Sequence, residues 1–288
     1  MDLFMNMVIT PKEFQKRMWF QYPPNNIELF EEYFLDRFIS VDEWTYLPIL
    51  WTPMICHRDI KGNYDDVQAF LNELDRSKRY FTICQHDDNI LNDLSHLNIT
   101  ILAAGGYGRY RKRVYPLPLI CSSKSDPSQV YPKTIFASFV GAIDAEGVRH
   151  PIRVKMRDAL KGNSKYIIKE AKMNNMSYPH FIQTMRNSTF SLCPRGYGQT
   201  SYRICEALQN DSIPVYIYDD PMIPFFDVLD FETYGILIHE RDIPMLDEVL
   251  SSKTPEDIEN YRQNGKKVYQ QYFSYRGCYN SILLYLSQ

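Results

Sequence analysis

Short apolar runs rich in β-branched and aromatic residues recur along the chain, each closing on glycines or on acidic and imidazole side chains. In the first part they are WTPMICHRD and RYFTICQHDDN, with helical spacing from Asp65 to Leu74 between them, then NITILAAGG and VYPLPLICSS, whose prolines favour an edge or terminal position. A second series begins with TIFASFVGAID and runs through a helix over 150–161, the strand YIIKE, a helix near 178–187 and FSLCPRG. It continues with a helix over 201–210, IPVYIYD, YGILIHE and a helix near 243–250. Strands alternating with helices across short connections predict parallel sheets with helices on their faces, an α/β fold. The Ser-, Pro- and Lys-rich stretch SSKSDPSQVYPK at 122–133 is the best linker candidate, so two domains are expected, 1–125 and 126–288. A length of 288 residues suits two such units.

A net charge of -3 argues against a protein whose main task is neutralising nucleic-acid phosphates. The local exception is the basic run from Arg109 to Arg113, read first as a solvated face and second as a patch for an anionic partner. The six cysteines show no C-x-x-C and no zinc-type pairing with histidine, and read as reduced thiols. The start, MDLFMNMVITPKEF, lacks a signal-peptide pattern, and no apolar run is long enough to span a membrane. A soluble, cytoplasmic chain is expected.

The segment PRGYGQTSYR, between FSLC and the next helix, carries an unusual density of arginine, glycine and hydroxyl groups. In an open α/β sheet this is where ligands bind, outside the carboxyl ends of the strands and at a helix N-terminus. Gly196 and Gly198 allow close backbone approach, Thr200 or Ser201 can cap the helix, and Arg195 and Arg203 can bond phosphate oxygens. Ile204, Ala207 and Leu208 form the apolar stripe of that helix, with Arg203 and Glu206 on another side. The plainer reading makes Ser201 a cap and Arg203 and Glu206 a surface pair. The segment is no P-loop, since the G-K-[ST] ending is missing, and GGYGRY at 105–110 fails G-x-G-x-x-G and is read as a turn.

These residues, followed by IPFFDVLDFETYGILIHERDI, resemble the C-terminal signature of the exostosin-like glycosyltransferases. The resemblance rests on Phe-x-Leu-x-Pro-Arg-Gly, Ser-x-Arg-x-x-Glu-Ala, Ile-Pro-Val and a Leu-Asp-aromatic step, and reaches upstream to FASFVGAID and IRVKMRDAL. It implies two facing Rossmann-like domains, the GT-B architecture, with a nucleotide sugar on the C-terminal domain and the acceptor on the N-terminal one. It further implies an inverting, single-displacement transfer with no bound metal, in a compact, soluble member of the kind found in bacteria or large DNA viruses. Glu206 would then take the ribose hydroxyls of UDP. Arg203 and Ser201 would hold the diphosphate, with Gly196 in the loop, Gly141 in FASFVGAID, and charge from Arg195 and Arg153. No D-x-D motif occurs, and Asp65-Asp66, Asp87-Asp88 and Asp219-Asp220 replace it poorly. Retaining two-domain enzymes often carry a second glutamate eight positions before the ribose glutamate; Gly198 stands there.

Inversion requires a base for the acceptor hydroxyl. His86, Asp87 and Asp88, at the end of a strand-like run, are the first candidates, and His57 with Asp59 the second; for either, a simple turn is the competing reading. The expected partners are a UDP-sugar, with UDP-xylose the guess among xylose, arabinose, galactose and glucuronic acid donors, and a glycan hydroxyl, with no nucleic acid, membrane span, cofactor or metal. The alternatives are a catalytically inactive glycan- or nucleotide-sugar-binding module and, more weakly, nucleic-acid binding through 109–113.

Overall fold

The computed structural model describes residues 6–17, 26, 28–56, 61–122, 129–144, 150–171 and 178–288. Among the described residues two sheets form, and every strand pair within them is parallel. The first has the order β1 (Thr45–Tyr46), β2 (Arg79–Cys84), β3 (Asn98–Ala103) and β4 (Val114–Pro116). The second contains β5 (Ile135–Gly141), β6 (Tyr166–Glu170), β7 (Ser188–Pro194), β8 (Ile213–Tyr218) and β9 (Ile236–His239), in the order β6-β5-β7-β8-β9. The expected pair of Rossmann-like α/β domains in the GT-B arrangement is what the topology displays.

Parallel strands are buried on both faces, so successive side chains enter different cores. In β2, Phe81 and Ile83 face a core between the two sheets, while Tyr80 and Cys84 face the outer core of the first domain. In the second sheet Phe139, Leu192, Val215 and Ile217 fill the other outer core, and Val140, Cys193 and Tyr216 turn to the shared one. One apolar mass thus joins the domains. Pro116 ends the edge strand β4, where its missing N–H costs nothing.

One expected strand is a helix. WTPMIC forms α2 (Trp51–Cys56), after α1 (Phe30–Arg37), and the strand lies upstream at β1. Pro53 cannot donate to a ladder but sits without cost in a first helical turn. Trp51 Nε1 then reaches Thr82 Oγ1 at 2.8 Å. Among the described residues the remaining α-helices are α3 (Lys61–Asn72), α4 (Ile152–Ala159), α5 (Tyr178–Asn187), α6 (Tyr202–Gln209), α7 (Leu246–Ser251), α8 (Pro255–Val268) and α9 (Tyr275–Leu286). α9 returns to the first domain: Tyr275 donates to the Glu28 carbonyl, Tyr279 donates to the Arg37 carbonyl at 2.6 Å, and the Tyr33 and Tyr275 rings meet edge-on at 4.9 Å. Among the described residues no helix is long and apolar enough to cross a membrane.

Candidate active site

The second sheet reverses direction at β5, whose connections leave toward β6 on one side while β7 and β8 continue on the other. The crevice outside the carboxyl ends of β5 and β7 is the binding position such a sheet offers. Gly141 ends β5, and Pro194 ends β7 ahead of Arg195. Ser201 caps α6, its Oγ accepting the Arg203 N–H at 3.3 Å. Arg203 Nη1 donates to the Val140 carbonyl at 2.6 Å, and its guanidinium lies 4.5 Å from the Phe139 ring centre and 5.1 Å from that of Phe181. The open side of Gly141 faces Arg203 Nη2. One turn further along α6, Glu206 is 9% exposed. Burial pushes its carboxyl above the usual range and Arg203 pulls it back. Among the described residues nothing hydrogen-bonds to that carboxylate; only the Glu206 main-chain oxygen has a bond, from Asn210. The surface-pair reading fails, because Glu206 is buried.

Arg195 has a different environment from the one its sequence position suggests. Its Nη1 meets both Asp219 oxygens at 2.7 Å, Nε donates to the Gly198 carbonyl at 3.0 Å and Nη2 to the Tyr197 carbonyl at 3.2 Å. The guanidinium thereby folds its own loop, and His150 Nε2 lies 3.3 Å from Asp219 Oδ2. Arg153 on α4 ties that loop to β5 by donating to the carbonyls of Arg195 at 3.0 Å and Ala142 at 2.8 Å; its Nη2 faces Gly196.

Across the seam stand the loops after β2 and β3. His86, Asp87 and Asp88 follow β2, and a Cβ on Gly105 would meet the backbone of His86 and Asp87 at 2.5 and 2.6 Å, so only glycine permits the packing. GGYGRY is therefore more than a turn. Asp88 Oδ2 accepts the Tyr197 hydroxyl at 2.9 Å, and the Asp88 N–H donates to His86 Nδ1 at 3.1 Å. Burial lowers the His86 pKa, against the pull of Asp88. Asp87 is pushed up to about 7, by burial first and by Asp88 second, with Arg195, Arg153 and a backbone bond from Gly198 opposing. His57 and Asp59 lie outside the described residues.

Two residues that sequence reasoning passed over shape this centre. Glu31, wholly buried in the first turn of α1, accepts the Gln85 N–H at 2.7 Å and the Thr52 hydroxyl at 2.6 Å, fixing the residue ahead of His86; burial pushes it up to about 7. Gln199 joins the domains. Its N–H reaches the Gly105 carbonyl at 3.0 Å, its Oε1 accepts the Tyr107 N–H at 2.8 Å, and its Nε2 donates to Asp220. Neither has a local sequence signal, since both act on residues distant in the chain.

The basic run is spent on the fold. Arg111 pairs with Asp220 and lies over the Tyr107 ring, Arg109 donates to the Leu91 carbonyl, and Arg113 donates to the carbonyls of Leu94 and Leu97. Asp219 and Asp220 are thus each matched by an arginine. Among the described residues no group of three or more histidine, cysteine or acidic side chains is arranged to hold a metal ion.

The sequence model of the exostosin GT47 domain matches residues 101–253, from β3 to just past α7. A probable glucuronosyltransferase of Oryza sativa subsp. japonica is 32% identical over 134 residues, which is 44% of this chain and 31% of that protein. A probable beta-1,4-xylosyltransferase of Arabidopsis thaliana, IRX10L, is 40% identical over 78 residues, 27% of this chain and 19% of that protein. The chain spans less than a third of the length of these relatives. Among solved structures, that of TarM aligns with a TM-score of 0.46 and 10% identity over 78% of this chain and 53% of that one. The domain match covers more than half of the chain and contains the α6 loop, Glu206 and the strands that position them. The chain belongs to the exostosin GT47 family.

Proposed function

We propose that the chain is an inverting glycosyltransferase that moves a sugar from a UDP-sugar, UDP-xylose being the first choice, to a hydroxyl of a glycan acceptor. Residues 126–288 bind the donor and 1–125 the acceptor. The observation that carries this reading is Glu206: a largely buried carboxylate beside Arg203, with no hydrogen-bond partner among the described residues, at the switch point of a parallel sheet. Its acceptor positions are left for a ligand, and two vicinal ribose hydroxyls are matched to a carboxylate.

The diphosphate then lies along the N-terminus of α6, where the helix dipole and Arg203 stabilise the charge that develops on UDP as the glycosidic bond breaks. Arg153 adds positive charge, and Arg195 contributes by holding the loop in shape. Asp219 and Asp220 are already paired with arginines, which supports a transfer in which fixed cations, in place of a metal ion, balance the phosphate. Asp87 takes the acceptor proton; a carboxyl poised at about 7 is well matched to that task near neutrality. The acceptor oxygen attacks the anomeric carbon from the face opposite UDP, so the configuration inverts.

The test is incubation of the purified chain with UDP-xylose, UDP-arabinose, UDP-galactose and UDP-glucuronic acid, with water or oligosaccharides as acceptor, followed by NMR of the anomeric proton. Release of UDP with inverted product supports the reading. Retained configuration, or binding of all four donors without turnover, overturns it.

A further inference from the structure

We propose that Gly198 is a seat in the donor loop of the C-terminal domain for the Asp87 carboxylate of the N-terminal domain. The donor loop, through Gly198 and Tyr197, thereby positions the base. The inference rests on the reading of Asp87 as that base and adds the device that places it.

Gly198 is buried, yet its backbone is outside the left-handed region that demands glycine; among the described glycines only Gly108 and Gly162 have positive φ. A side chain is excluded by what fills the space. A Cβ at 198 would lie 2.7 Å from Asp87 Cγ, and nearer still to Asp87 Oδ1 and the Gly105 carbonyl oxygen. Those neighbours are a carboxylate and a main-chain group, both from the other domain. The residues on either side repeat the pattern: the Tyr197 hydroxyl donates to Asp88, and the Gln199 N–H donates to Gly105. Three consecutive donor-loop residues therefore meet the N-terminal domain in register. The loop keeps this shape because Arg195, anchored on Asp219, holds the carbonyls of residues 197 and 198.

The consequence is that the surroundings of the base come from both domains: Gly198, Arg195 and Arg153 from one, Asp88 and Gly105 from the other. A change in the donor loop therefore reaches the proton acceptor without touching its own loop.

The experiment compares wild type, Gly198→Ala, Tyr197→Phe and Asp87→Asn in the full chain. Three quantities are read: the titration of Asp87 by 13C NMR of labelled aspartate carboxyls, assigned with Asp87→Asn; UDP affinity by calorimetry; and UDP-xylose turnover. Asp87 should titrate near 7 in wild type. In Gly198→Ala the midpoint should move by at least about one unit, with turnover down by at least about 10² and UDP affinity within about threefold of wild type. Tyr197→Phe, which removes one oxygen and adds no bulk, should reduce turnover with UDP affinity kept, and tests the proposal if the alanine variant does not fold. An unchanged Asp87 titration in a folded Gly198→Ala protein, or unchanged titration and turnover in Tyr197→Phe, overturns the seat. A moved titration in Gly198→Ala beside full turnover in Asp87→Asn upholds the seat and removes Asp87 as the base.

Discussion

Replacing Glu206 by glutamine keeps the side-chain shape and removes the charge that the proposed ribose contact uses. A hydrogen bond to a charged group contributes about 1.5–3 kcal/mol, so UDP should bind about 10- to 150-fold more weakly. Uridine should lose as much as UDP, because the contact is to the sugar. Stability should move the other way. The Glu206 carboxyl is raised by burial, so its contribution to stability is fully present below the ordinary carboxylate pKa and is lost as pH rises through the raised value. Glutamine carries no charge to desolvate. At pH 8 the variant should therefore melt no lower than wild type, and its advantage should vanish as the pH falls toward about 4. Calorimetry for the ligands and thermal melts at several pH values measure both. A Glu206→Gln protein that melts lower at every pH while binding UDP normally would show that the carboxylate is part of the framework, and the donor assignment would fall.

Asp87→Asn should reduce turnover by about 10²–10⁴ with donor affinity little changed, and the same assays on Asp88→Asn and His86→Ala identify which side chain takes the proton. Wild-type turnover should climb with pH through about 7, because the base works ionised and Asp87 is held at that value; a flat profile from pH 5.5 to 8.5 would contradict the assignment. Arg203→Ala should weaken UDP more than uridine, since its proposed partner is the diphosphate; equal losses would reassign it. Turnover should persist in excess EDTA, and its complete loss with recovery on adding manganese would end the metal-free reading.

The α6 half of the candidate site was legible in the sequence because its spacing is local. Ser201, Arg203 and Glu206 lie within two helical turns, and a cap, a cation and a carboxylate at that spacing keep their relation wherever the helix is placed. The alternation of the second domain was readable for the same reason: β7, α6 and β8 follow one another with short connections. The other half was obscured wherever a distant partner decided the outcome. WTPMIC has strand-like composition, but Pro53 and the bonds from Trp51 to Thr82 and from Thr52 to Glu31 select the helix. Arg195 looked like a phosphate ligand beside two glycines, and Asp219, which engages it, is 24 residues away. Gly105 read as a turn residue and Gly198 as one that lets the backbone approach a ligand, although each is demanded by a neighbour on another loop.

The return of α9 onto α1 bears on how relatives of this chain can be recombined. The lobe that carries Asp87 is built from two separated stretches of sequence, so a chimera made to exchange the proposed acceptor lobe while keeping the proposed donor lobe has to transplant 275–286 together with the residues before the linker. A single splice within 122–133 would set Tyr275 and Tyr279 against a foreign first helix, with hydroxyls whose acceptors are the carbonyls of Glu28 and Arg37 left to find new ones. Chimeras spliced once should fold poorly, and those spliced at both crossings should report acceptor choice cleanly.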